Sequence, residues 1–77
     1  ITYLSSYTAT TDGETTISNI TNYNAELDKI IVNFNQTILR EGIDYRIDRE
    51  QNGITLLTFA LNTDDVLQFT VLAQSDE

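Results

Sequence analysis

A chain of 77 residues has room for one small core, and without Cys or His it has no disulfide and no thiolate or imidazole metal ligand to reinforce it. Twelve acidic residues against four basic ones give a formal net charge of −8, a field that repels phosphate backbones and anionic lipid, so neither nucleic acid nor membrane is an expected partner. No apolar run approaches the ~18 residues of a membrane span, and the start at Ile1 rather than Met reads as a fragment of a longer polypeptide.

Apolar residues recur with period two over short runs bounded by turn residues, the pattern of half-buried strands. Residues 2–10 alternate Tyr3, Ser5, Tyr7 and Ala9 against Leu4, Ser6 and Thr8, and run into the turn Thr11-Asp12-Gly13-Glu14. Residues 15–18 then return as a second, short strand. The Asn- and Thr-rich stretch 19–26 reads as a connecting loop with Ile20 and Tyr23 as its apolar anchors, a plug for one end of the core. Residues 27–34 form the strongest strand and should be central, with Ile30, Val32 and Phe34 on one face and Ile31 and Asn33 on the other. Asn35-Gln36 is a tight turn into a short strand over 37–40, although one helical turn within 27–39 is compatible with its helix-forming residues.

After Glu41-Gly42, Ile43, Tyr45 and Ile47 alternate with Asp44, Arg46 and Asp48, which predicts a strand with one wet face. Asn52-Gly53 is a turn signal leading into 54–61, where both faces are largely apolar and burial on both sides is expected. A turn at 62–65 leads to a last strand over 66–73 with Leu67, Phe69 and Val71 inward, and 74–77 is a polar tail. Six to seven short strands joined by turns predict an all-β fold, a small antiparallel β-sandwich (Ig-like or jelly-roll-like) occupying 1–77 as one domain. With no Pro in the chain, the charges from Asp44 to Glu50 are the expected protection of a sheet edge.

Catalysis needs an activated nucleophile, a tuned pair of carboxylates or a metal. The chain has no His or Cys to activate a hydroxyl, and Lys29 beside Asp28 is expected to pair or snorkel. Asp64-Asp65, Asp44 with Asp48, and Asp12 with Glu14 are the candidate carboxylate pairs, and each is better read as turn or surface chemistry. Calcium would find only Thr11-Asp12-Gly13-Glu14, too few ligands, so no metal or cofactor is expected. The acceptor tripeptides at Asn19 and Asn35 are read as coincidental. For sugar binding, Tyr3, Tyr7 and Tyr45 are expected in the core, which leaves Tyr23, with Asn22 and Asn24, as the candidate ligand contact.

Read in order, several segments resemble a domain found repeatedly in bacteriophage tail-fibre, appendage and related virion proteins. Tyr7-Thr8-Ala9-Thr10-Thr11-Asp12-Gly13-Glu14-Thr15 is similar to the family's opening motif, and Leu39-Arg40-Glu41-Gly42-Ile43-Asp44-Tyr45 is the most distinctive match. Lys29 to Gln36 and Gly53 to Leu61 follow the family's strands, and Thr63-Asp64-Asp65-Val66-Leu67-Gln68-Phe69 resembles its last one. The chain departs where Asn35-Gln36 lacks the usual Gly and where Asp64-Asp65 replaces Gly-Asp. The resemblance implies a β-sandwich-like module of longer, commonly trimeric fibre or baseplate proteins on the virion. Its partners would be other copies of itself, neighbouring virion proteins and, in a receptor-binding alternative, a host surface glycan on a phage or bacterial surface protein. It implies no catalytic residues. An apolar patch around Ile31, Ile38 and Leu57 is the expected subunit contact.

Overall fold

A computed structural model describes residues 1–73, so the tail expected at 74–77 lies outside the described residues. They form seven strands and no helix: β1 Thr2–Thr8, β2 Thr16–Ile17, β3 Lys29–Phe34, β4 Thr37–Ile38, β5 Tyr45–Asp48, β6 Gly53–Leu56 and β7 Val66–Leu72. All strand pairs are antiparallel, in one sheet of order β1-β7-β3-β4 and another of order β2-β6-β5. The fold is a small β-sandwich, as the period-two pattern predicts.

Its core lies between the sheets. Val32, Ile54, Leu61, Leu67 and Val71 are fully buried, and Phe69, Leu56, Ile17 and Tyr45 pack with them. The loop after β2 drops Ile20, Tyr23 and Ala25 into this core, so the expected plug is present. Phe59 meets Phe34 with ring centroids 5.0 Å apart.

β3 is interior in the larger sheet, as expected, between β7 and β4; β7 pairs along its full length with β1 on one side and with all of β3 on the other, whereas β4 covers only the end of β3 at Asn33 and Phe34. Three details differ from expectation. β3 begins at Lys29, because the Asn24 carbonyl accepts the Leu27 and Asp28 amides at 3.1 and 2.8 Å and holds 24–28 in a turn. Ile43 is exposed rather than inward: the Asp44 carboxylate accepts the Arg40 amide at 3.0 Å, and Gly42 takes φ +85°, so 40–44 is a turn. β6 stops at Leu56, with Ile54 and Leu56 in the core and Thr55 half-buried between them, and the apolar run does not continue as a strand to 61; Leu57 is exposed, and Leu61 re-enters the core by pairing with Glu14.

Two turn positions show how the backbone is controlled. Asn35 and Gln36 both have positive φ, 52° and 67°, the two-residue geometry whose twist matches a hairpin. Gly53 has no positive φ; Asn52 before it takes that role at 53°. Gly53 is needed for a close approach instead, because a Cβ there would lie 1.7 Å from the Ile17 carbonyl oxygen of β2. Gly53→Ala is therefore expected to cost about 3 kcal/mol or more, since backbone rather than a movable side chain blocks it. Gln36→Gly is expected to stabilise by about 0.5 to 1 kcal/mol by relieving a left-handed residue. Chemical denaturation of both variants against the parent checks the pair.

Candidate functional site

The loop 19–26 carries the residues singled out for ligand contact, and its shape is set by a residue far away in sequence. Asn52, at the β5–β6 turn, donates from Nδ2 to the Tyr23 carbonyl at 2.7 Å and accepts the Ala25 amide on Oδ1 at 2.9 Å. The Asn19 and Ile20 amides donate to the Gln51 and Asn52 carbonyls at 2.8 and 3.1 Å. The loop is thus stapled along the β5–β6 hairpin, and Tyr23 is pressed inward.

This corrects the picture of Tyr23 as an exposed aromatic platform: its residue is only 7% exposed and belongs to the core. Asn22, at φ 58°, and Asn24 are exposed. Asn24 is partly committed, since its Oδ1 accepts the Glu26 amide at 3.0 Å. All three residues border one open depression of about 360 Å³, shared with Tyr3 and Leu27.

A larger cleft of about 480 Å³ opens on the other side of Tyr23, between the start of β3 and β5. Lys29, Arg46 and Arg49, three of the chain's four cations, line it, together with Glu26, Asp28 and Glu41. The fourth cation, Arg40, pairs with Asp44 at 3.8 Å. Burial, then the charges of Glu41 and Asp28, push the Tyr23 phenol up, with Arg49 opposing. Burial, then Glu41 and Tyr23, push Tyr45 up to about 12, and its hydroxyl donates to the Ile30 carbonyl at 3.4 Å, beyond the reach of β4. Both phenols stay protonated at neutral pH, as donors and not as bases. The cleft can hold a polar group; it presents no activated nucleophile.

The carboxylate pairs are occupied by backbone. Glu14 accepts the Thr10 and Thr11 amides at 3.1 and 2.9 Å, both threonine hydroxyls, and the Tyr7 hydroxyl. Asp12 accepts the amide and hydroxyl of Thr63, each at 2.9 Å, which ties the β1–β2 loop to the turn before β7. Asp65 accepts the Asn62 amide at 2.8 Å and Asp48 the Gln51 amide at 3.3 Å. No group of three metal-ligating side chains converges among the described residues.

Comparison with protein families, with curated proteins and with solved structures finds no match. The geometry alone therefore bears on function. Sequence reasoning missed Asn52 as an organiser, because Asn-Gly reads as a local turn and a bond 27 or 29 residues back leaves no trace in spacing.

The capped Glu14 gives a pH signature. The Tyr7 hydroxyl first, then Thr11 and Thr10, lower its carboxyl from the ordinary 4.5 to about 2. A depressed carboxylate contributes stability that is fully present above its unfolded value and lost as pH falls through its folded one. Glu14→Gln is accordingly expected to melt below the parent at neutral pH, with the gap closing between about pH 4.5 and about pH 2. Thermal melts across that range check the sign.

Proposed function

We propose that this chain is a structural module of a virion surface assembly, a phage tail fibre, appendage or baseplate, that acts by attaching to other protein subunits, foremost copies of itself. The observation that carries the reading is the outer face of the larger sheet. Register places Leu4, Thr70 and Ile31 in one row across it, and Ser6, Gln68, Asn33 and Ile38 in the next. Leu4 is 77% exposed and Ile38 65%. Among the strand residues of this face the single charge is Lys29, and no acid is present, in a chain of net charge −8. Two copies repel each other over most of their surface, so an acid-free, partly apolar sheet face is where they can approach.

Of the patch expected at Ile31, Ile38 and Leu57, the first two share this face. Leu57 follows β6 of the other sheet. The glycan-binding alternative rests on the depression beside Asn22 and Asn24; with Tyr23 in the core, the ring singled out for stacking is not presented there, and assembly is the better-supported reading. Three-fold association through the sheet face is what the resemblance to fibre proteins adds.

The test is sedimentation of the chain over a wide concentration range. The parent is expected to form trimers, and Ile31→Glu with Ile38→Glu, both at exposed positions, to lose them while unfolding cooperatively. A double variant that forms trimers as well as the parent, or a parent that forms none, contradicts the proposal.

A further inference from the structure

Each sheet has two edges, and three of the four are short or charged. β2 and β4 have two residues each, and β5 carries Arg46 and Asp48. The fourth is β1: seven residues, Thr2-Tyr3-Leu4-Ser5-Ser6-Tyr7-Thr8, with no charge and no Pro. The neighbouring segment 15–25 is also uncharged. Such an edge is a template for another strand.

The free hydrogen-bonding groups of this edge can be assigned. Ala73 donates to the Ile1 carbonyl at 2.9 Å and Ala9 to the Asp65 carbonyl at 2.8 Å, so the odd-numbered residues of β1 bond to β7. By the alternation of antiparallel ladders, the N–H and C=O groups of Thr2, Leu4, Ser6 and Thr8 point away from the sheet.

We propose that β1 pairs antiparallel with β1 of a second copy about a two-fold axis at Ser5, joining two four-stranded sheets into one continuous sheet. The occupant follows from the strand itself, which reads almost the same in both directions. Centred on Ser5, the pairing sets Thr2 against Thr8, Tyr3 against Tyr7 and Ser5 against Ser5, with Leu4 against Ser6 as the one unlike pair. Thr–Thr and aromatic pairs are favourable cross-strand neighbours. The register also has the right parity, since it makes the even residues with free backbone groups the hydrogen-bonded pairs.

A second observation points to the same centre. Ser5 Oγ is sequestered from solvent and has no hydrogen-bond partner within the single chain. In the paired sheet the two Ser5 residues form a non-hydrogen-bonded pair with Cα atoms about 4.5 Å apart, close enough for one hydroxyl to donate to the other.

This inference rests on the assembly reading and deepens it, but it uses the sheet edge and not the face, so the two can fail separately. The chain has no Cys, and a Cα separation of about 4.4 to 6.8 Å suits a disulfide. Ser5→Cys, made in the parent and in the Ile31→Glu, Ile38→Glu background, is expected to form a covalent dimer on mild oxidation in both. Thr16→Cys, exposed on an edge of the other sheet, is not expected to do so at the same concentration. In the Ile31→Glu, Ile38→Glu background, where the sheet face no longer associates, Leu4→Lys with Ser6→Lys, which sets introduced lysines against each other across the axis, is expected to abolish the remaining two-fold dimer in sedimentation without altering the fold. If Ser5→Cys stays monomeric under oxidation while the parent forms trimers, the edge pairing is wrong and the assembly reading survives. If the parent remains monomeric at all concentrations, both are wrong.

Discussion

Contact between the two sheets holds this protein together. With no disulfide, and no metal cluster among the described residues, the layers are joined by five fully buried aliphatic side chains and the residues around them. Burying one such side chain contributes roughly 1.5 to 3 kcal/mol, a large share of what a small domain retains after its entropy cost. The loops are shaped to protect that contact. Asn52 drives Tyr23 and Ala25 into one end, and Leu61 returns from an exposed bend to seal another part of the same layer.

The chain achieves its turns without Pro, and the means it uses distribute its charge. Asn19, Asn22, Asn35, Asn52 and Asp64 take left-handed backbone, and carboxylates accept the amides of residues three or four positions away. Of twelve acidic residues two lie in 74–77, and of the remaining ten only Asp48 is within a strand. The acids that lock the turns are thereby removed from the sheets. The outer face of the larger sheet and the β1 edge are left almost neutral, and these are the surfaces proposed for contact between copies.

The long strands were legible because one face of each is buried: β1, β3 and β7 follow strict alternation, and their inward residues are the expected ones. Alternation failed where a turn cap or distant chain decided burial. Ile43 continues the Tyr45 and Ile47 pattern, yet the Asp44 cap pulls it into a turn. Leu56-Leu57 has no period, so nothing local shows where β6 stops. Tyr23, in a polar loop, reads both as a core plug and as a ligand contact, and the bond that holds it inward comes from a side-chain amide 29 residues away. Gly53 was visible as a turn signal, but its need to pass close to Ile17 was not. The acid-free sheet face emerged only when register placed Leu4, Ile31 and Ile38 on the same side.

Amide hydrogen exchange at increasing protein concentration reports where contact between copies forms as well as whether it does. Protection is expected to rise with concentration at Leu4, Ser6 and Thr8 of β1, whose amides face outward in the single chain. A rise confined to the loop 19–26, or none anywhere, rules out pairing at this edge.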